Sequence, residues 1–376
     1  MLRIAIIGCG KIADSHAAQI GRIKGCQIVG VCDREPLMAE QLAKRFPVEQ
    51  AFSNVGELLD VAKPDVVHVT TPPQTHFDLA KTCLDRNCHV YVEKPFTVWA
   101  AEARKLIDIA KEKELKLTVG HDDQFSHVAR RLRSMVREGF LGGAPVHMES
   151  HYCYEIGDTG YAGALLGDKR HWVRRLPGKL LQNIISHGVA RIAEFVSGDS
   201  PDVMAYGYTS PALQVLGETE IIDELRVFIH DANRTTAYFT FSSQMRPGLH
   251  EFRLYGPKNG LLLSQDQETL IKLRGARYKS YAEKFVPPIV VAGQYIHNVA
   301  TNVRTFLRND FHMKSGMKFL MESFYRSITE GTSEAIPYRE ILLTARIMEE
   351  IFCQLEKQRA GATDEFGLAA GIESRK

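Results

Sequence analysis

The sequence lacks any apolar run near the roughly 18–20 residues that cross a bilayer, so no membrane partner is expected. It has no C-x-x-C pair. Its seven cysteines are scattered and odd in number, which disfavours a disulfide framework or a zinc ribbon and fits a reducing cytoplasm. It also lacks an excess of either charge: 47 basic against 45 acidic residues leave +2. A dedicated nucleic-acid binder carries a marked basic surplus, so that class is set aside. Glycine (29) and proline (15) are too sparse for collagen-like or low-complexity chains. There is no internal repeat. Met1-Leu2-Arg3 runs straight into a strand-like segment, so no signal peptide is expected. What is present is an ordinary globular composition, 44% hydrophobic and 24% charged, in a 376-residue length that suits two or three domains.

The first 120 residues are the most legible. Arg3–Ile7 is a short β-branched apolar run, and Gly8-Cys9-Gly10-Lys11-Ile12-Ala13 follows at once, before a helical stretch near Ser15 and His16. Strand, glycine turn and helix N-terminus are the parts of a dinucleotide-binding unit. Gly8 allows the tight turn, and Gly10 lets backbone approach a pyrophosphate. Lys11 and Ile12 belong to the same loop, where the helix N-terminus offers free N–H groups to the anion. A second strand, Gln27–Cys32, ends at Asp33, 20 residues after Ala13. That is the distance expected for a carboxylate that holds the adenosine ribose hydroxyls. Asp33 favours NAD. Arg34 beside it could attract a 2′-phosphate and keeps NADP open.

The alternation continues through strands at Asp65–Thr70, His89–Val92 and Leu117–Gly120, with amphipathic helices between them. This predicts a doubly wound parallel sheet. Thr71-Pro72, Glu93-Lys94 and His121 then stand at strand carboxyl ends, where such sheets bind ligands.

On Gly8–Ala13, Thr71-Pro72-Pro73-Gln74-Thr75-His76, Glu93-Lys94-Pro95, Phe125, Glu138-Gly139-x-Leu141-Gly142 and His187, the chain resembles the Gfo/Idh/MocA family of nicotinamide-dependent oxidoreductases. The resemblance implies an N-terminal Rossmann domain over 1–122. It implies a C-terminal α+β domain over 123–376 with an open, mostly antiparallel sheet that mediates homodimer or homotetramer contacts. Strands at Val146–Tyr154, Leu225–His230, Thr236–Phe241, Phe252–Tyr255, Leu261–Leu263 and Leu270–Leu273 are compatible, with a hairpin turn at Asp231-Ala232-Asn233-Arg234. Helices are expected over 314–330 and 338–356. The tail 360–376 is expected to lack structure.

Oxidising a carbinol needs a base and a group that holds the developing alkoxide. Lys94 is expected to be that catalytic or substrate-binding cation, with Thr71, Pro72, His76 and Glu93 grouped about the cofactor. The family commonly has Asp-x-x-x-His later in the chain; here the pair is Asn183 and His187. His187 becomes the first choice for acid and base, because histidine titrates near neutrality. Asn183 can hold a hydroxyl but cannot take up a proton. Where many relatives have Asn-x-Arg-Phe, this chain has Asp122-Asp123-Gln124-Phe125. Gln124 is a candidate substrate contact, and the two aspartates either bind hydroxyls or cap the next helix.

Glycines at 157, 160, 163 and 167 suggest a long loop. It leads into five cations between Lys169 and Lys179, which suggest either an anionic substrate or a solvated loop. Trp172 and Arg174 are the substrate candidates there. His147, Glu149 and His151 share a strand face, but no metal is expected. The expected activity is NAD(P)-dependent oxidation of a secondary hydroxyl on a sugar, a sugar derivative (anionic or nucleotide-linked among them) or a cyclic polyol. The rivals are an NAD-dependent glycosidase working by transient oxidation and a cofactor-binding sensor without turnover.

Overall fold

The structure, a computed structural model, describes residues 1–154, 168–232, 235–275, 278–311 and 314–373. The expected loop through Gly157, Gly160, Gly163 and Gly167 lies outside these residues, as do Asn233 and Arg234 of the expected hairpin turn.

Strands and helices alternate through the first third: β1 (Leu2–Ile7), α1 (Lys11–Ile20), β2 (Cys26–Cys32), α2 (Pro36–Arg45), β3 (Ala51–Phe52), α3 (Val55–Ala62), β4 (Val66–Val69), α4 (His76–Asp85), β5 (His89–Val92), α5 (Ala100–Glu112) and β6 (Leu117–Val119). The strands are parallel, in the order β3-β2-β1-β4-β5-β6. Ile4, Ile6, Val66, Val67, Val90 and Val119 are fully buried, as near-continuous apolar strands must be when helices cover both sheet faces. The strand order reverses between β1 and β4, which opens the crevice where such sheets take ligands. β3 is only two residues long, too short to leave a periodic signal.

The remainder comprises α6 (His127–Arg137), β7 (His147–Cys153), α7 (Lys179–Ile184), α8 (Ser186–Ala193), β8 (Asp202–Tyr208), α9 (Pro211–Val215), β9 (Glu224–His230), β10 (Thr236–Ser242), β11 (Leu249–Tyr255), β12 (Asn259–Ser264), β13 (Thr269–Arg274), α10 (Ala282–Leu307), α11 (Ser315–Thr329) and α12 (Tyr338–Glu373). Its sheet runs β13-β12-β11-β7-β10-β9-β8. All neighbours are antiparallel except β7 and β10. One face packs on α8. The other carries exposed Met204, Tyr206 and Tyr208 at period two on β8, and Tyr238 on β10.

Three findings depart from the expectations. The backbone of the tail does not lose structure at residue 360: α12 continues to Glu373, through a segment with alanines and no proline to break it. α10, 26 residues long, went unread because Pro287-Pro288 resembles a helix stop, yet both prolines lie inside it. Core membership also does not follow chain order. Met317, Leu320, Met321, Phe324 and Tyr325 of α11 join the core of the first sheet. α12 then bridges the two cores, with Ile341 in the first and Leu343, Ile347, Ile351 and Phe352 in the second. Each such fully buried side chain contributes about 1.5–3 kcal/mol, so the carboxyl-terminal helices tie the two sheets together. Among the described residues no helix is long and apolar enough to cross a membrane.

Candidate active site

The glycine loop follows β1. Gly8 has φ +94°, and a Cβ built there would lie 2.6 Å from Thr71 Cγ2, so backbone freedom and the lack of a side chain are both required. Thr70 Oγ1 donates to the Gly8 carbonyl at 2.6 Å, which locks the loop to the end of β4. Gly10 precedes α1, and a Cβ there would meet nothing within 4 Å. No side chain caps that helix end. The N–H groups around Lys11 and Ile12 therefore face open space beside the crevice, an arrangement that fits a pyrophosphate. Asp33 accepts the Cys9 N–H at 2.7 Å and the Glu35 N–H at 3.0 Å. It fixes the loop while each oxygen keeps a lone pair for a ribose hydroxyl. Arg34 is almost wholly solvated, with Glu35 at 4.0 Å. The residues present thus fit a dinucleotide, with Asp33 inside the cradle and Arg34 at its rim. Gly8→Ala is expected to weaken NAD binding at least about 10-fold and to cost about 1–3 kcal/mol of stability, measured by calorimetric titration and urea unfolding.

Glu93 and Lys94 follow β5. Glu93 is buried; one oxygen lies 2.8 Å from His16 Nε2, and the other accepts the Lys94 N–H at 3.2 Å. His16 Nδ1 meets His68 Nδ1 at 2.7 Å, and His68 Nε2 meets the Tyr325 hydroxyl at 2.8 Å. One set of neutral tautomers satisfies the whole chain: Tyr325 donates to His68, His68 to His16, and His16 to Glu93. Burial alone would raise the Glu93 carboxyl, but the hydrogen bond from His16 and the nearby Lys94 ammonium hold it down to about 2. Glu93 therefore stays ionised beside Lys94. His16→Leu would leave that carboxylate without its partner. The expected loss is about 2–3 kcal/mol at pH 7, read by urea unfolding. A carboxyl depressed on folding contributes stability above its unfolded value, 4.5, and loses it as pH falls towards 2. The variant and the parent should thus converge below about pH 4.5.

The Lys94 ammonium donates to the main-chain carbonyl of Asn183 at 2.8 Å. The carbonyl of Asn183, not its amide, thus places the lysine. Burial lowers the Lys94 pKa against the opposing pull of Glu93, Asp122 and Asp123. One helical turn on, His187 is brought in by a close helix–sheet contact: a Cβ at the next residue, Gly188, would lie 2.5 Å from the Phe239 ring. His187 Nδ1 lies 4.0 Å from Asp122 and 3.7 Å from Asp123. Such spacings are compatible with bonds that tighten on substrate binding. Burial pushes His187 down to about 4 despite Asp123, so its ring is neutral at pH 7.

Asp122 and Asp123 sit in a 3₁₀ turn after β6. They do not cap the following helix; Ser126 does, accepting from the Ala129 N–H. Asp123 is half-buried, and desolvation alone would raise its pKa, but His187, Arg191, Tyr152 and Gln265 together hold it well below the usual carboxylate range. The Tyr152 hydroxyl and the Gln265 amide each donate to it at 2.8 Å. Burial and the charge of Asp123 push Asp122 up to about 7. The two carboxylates form part of the wall of a cavity of about 470 Å³, with Gln265, Asp266, Glu268 and Phe311. The ligand atoms of Asp122, Asp123 and His187 lie within 4.8 Å of one another, a spacing that a cation could also use. Both Asp123 oxygens are already held, however, and Arg191, Lys94 and Lys314 supply positive charge nearby. Acid–base chemistry therefore explains the cluster with fewer parts.

Other predicted site residues lie elsewhere. Gln124 is buried and donates to the Ala190 carbonyl and to Glu194, so it braces α8 instead of lining the cavity. His76 is buried, with its ring nitrogens 2.9 Å from the Pro95 carbonyl and 2.8 Å from the Thr71 carbonyl. It ties the β4 and β5 loops together, with Pro72 between Thr71 and His76 in the β4 loop. Arg174 pairs with Glu218 at 2.7 Å and Lys179 with Glu220 at 2.8 Å. Two of the five cations are thereby neutralised by acidic residues some 40 positions away, which a local count misses. Trp172 is half-buried and its carbonyl accepts from Gln74 at 2.9 Å, so this segment does abut the crevice. His147 and His151 flank Glu149, which also meets Arg253 at 3.4 Å; the strand group is held by its own cross-strand polar contacts. Sequence reasoning missed Arg191, Tyr152, Gln265 and the His16–His68–Tyr325 chain. Only His16 had a signal, as a histidine on the buried side of the helix after the glycine loop.

Parts of this chain are similar to known proteins. A D-glucoside 3-dehydrogenase of Escherichia coli (strain K12) is 32% identical over 142 residues, 38% of this chain and 40% of that one. A UDP-N-acetylglucosamine 3-dehydrogenase of Acidithiobacillus ferrooxidans is 34% identical over 149 residues, 40% of this chain and 44% of that one. The chain thus matches less than half the length of either relative. The fold is shared with the WlbA dehydrogenase from Bordetella pertussis, solved with NADH and UDP-GlcNAcA, at TM-score 0.74 and 14% identity, over 95% of this chain and 96% of that one. Residues 2–121 match the family model described as the oxidoreductase family with an NAD-binding Rossmann fold. The family match thus covers the first third of the chain, the parallel sheet with its glycine loop.

Proposed function

We propose that this protein is an NAD-dependent dehydrogenase that oxidises a secondary hydroxyl of a sugar, sugar derivative or cyclic polyol. The observation that carries the reading is the meeting of Lys94 with the Asp122–Asp123–His187 cluster at the carboxyl ends of β5 and β6, beside a glycine cradle that fits a dinucleotide. NAD bound there supplies the hydride acceptor. The chain's own residues supply the rest. Lys94, held by Asn183 and Glu93, offers its ammonium to the substrate oxygen as negative charge develops there. Asp122, poised near neutrality, takes the hydroxyl proton. Asp123, whose charge raises the proton affinity of Asp122, and neutral His187 stand beside it. This division answers the missing carboxylate at position 183: the acid–base group comes from the turn after β6 instead of from the helix that carries His187.

The names of the glucoside and nucleotide-sugar relatives support a carbohydrate substrate. With Arg174 and Lys179 already paired, the argument for an anionic substrate rests on Lys169, Arg170 and Arg175 alone, and we do not extend it to nucleotide sugars. A titrating cluster in the cleft weighs against a sensor without turnover. We further propose that copies of the chain associate through the exposed sheet face bearing Met204, Tyr206, Tyr208 and Tyr238. The function is tested by incubating the protein and NAD with glucosides, inositols and nucleotide sugars. NADH should accumulate with at least one of them. Aglycone release without NADH would mark the transient-oxidation glycosidase instead.

A further inference from the structure

α10 is assembled inside out. Its polar side chains face the protein: Gln294 accepts the Lys272 N–H at 2.7 Å, and Asn298, which is buried, accepts the Leu270 N–H at 3.2 Å and returns a bond to the Leu270 carbonyl at 3.1 Å. The helix thereby covers the free edge of β13, a row of backbone groups that would otherwise invite pairing. Its apolar side chains face away. Phe285, Ile289, Ala292, Ile296, Val299, Val303 and Phe306 recur at strictly alternating steps of four and three, the spacing of a coiled-coil seam. All seven are exposed; Phe285 is 67% exposed, Ile296 71% and Phe306 66%. No Asp, Glu, Lys or Arg interrupts the stretch from Phe285 to Val303.

We infer that this stripe is a second self-association surface, on which α10 of one copy packs antiparallel against α10 of another about a two-fold axis at Ile296. The stripe is symmetric about Ile296 to within one position, at offsets of −11, −7, −4, +3, +7 and +10. About Ile296, Phe285 faces the partner's Phe306, Ile289 its Val303, and Ala292 its Val299. A two-fold contact requires this self-complementarity, because each residue must meet its mirror position. The 26-residue helix is about 39 Å long, and a seam of that length covers on the order of 700 Å² per copy, close to the roughly 800 Å² per partner of a standard interface. A lipid surface is the poorer occupant, since interfacial helices flank their apolar face with many lysines and arginines and this one does not. Together with the proposed sheet contact, the surface would build an assembly with two kinds of two-fold interface.

The test is the solution mass by light scattering. Ile296→Glu should halve the mass of the wild-type assembly while NAD binding and the thermal midpoint stay unchanged; an unchanged mass would overturn the inference. Cysteine scanning in a Cys353→Ser background fixes the geometry independently of that variant's folding. Ile296→Cys should form a disulfide-linked dimer on oxidation and Phe285→Cys alone should not. Ready cross-linking of Phe285→Cys would mean a parallel contact, and sedimentation of wild-type protein with phosphatidylcholine–phosphatidylglycerol vesicles would mean a membrane. Either result contradicts the inference.

Discussion

Replacing Lys94 by alanine should lower kcat/KM about 10³-fold with any substrate the enzyme oxidises, while the Kd for NAD stays within about twofold. The size follows from removing a positioned cation from an oxygen that becomes anionic in the transition state, typically worth 10²–10³ or more in rate. The selectivity follows from position. Lys94 is tied to Asn183 and faces the carboxylate cluster, whereas the dinucleotide cradle is built from the Gly8–Gly10 loop and Asp33. A loss of kcat with little change in KM would place the interaction in the transition state. Lys94→Ala protein that keeps more than about a tenth of wild-type turnover would remove the lysine from the chemistry.

Asp122→Asn should have two opposite effects. Activity should fall about 10²–10³-fold, the usual contribution of a general base. The wild-type rise of kcat/KM with pH, centred near 7, should vanish with it. Stability should increase. The carboxyl is raised on folding, from 3.8 to about 7, by burial and by Asp123. The folded state therefore binds the proton more tightly than the unfolded state, and stability falls as pH climbs between those two values. An amide of the same shape avoids that penalty, so Asp122→Asn should melt a few degrees higher than wild type at pH 8 and no higher at pH 4. Such a gain in stability at the expense of turnover marks a group kept for chemistry. Differential scanning calorimetry at both pH values, beside the pH–rate profile, decides it. A variant that melts lower at pH 8 would show that Asp122 is structural.

Much of this architecture is legible in the sequence, for physical reasons. A parallel strand buried on both faces must be a continuous apolar run, and the turn after β1 must carry glycine where φ is positive; both leave local marks. The cofactor side was legible for the same cause, since Gly8, Gly10 and Asp33 lie within one unit. What depends on distant pairing was not. Nothing near Tyr325 announces that it completes a chain to Glu93 through two histidines, because the contact spans 257 positions between Tyr325 and His68. Glu218 and Glu220 neutralise cations that seemed available to a substrate. Gln124 looked like a cleft residue because it stands where the family pattern has an arginine, yet the 3₁₀ turn sends it towards α8. α10 was hidden by its own logic: prolines inside a helix, polar residues inward and apolar residues outward all invert the pattern by which helices are recognised.

The most direct test of the central claim follows one atom. A substrate found in the NADH screen is prepared with deuterium on the carbon that bears the oxidised hydroxyl, and the reduced cofactor is analysed by nuclear magnetic resonance after a single turnover. Direct hydride transfer predicts deuterium on one face of the nicotinamide C4 in NADH and a primary isotope effect on the chemical step. Deuterium that is returned to a sugar product, with aglycone released and NAD regenerated, would contradict net dehydrogenation and establish transient oxidation in its place.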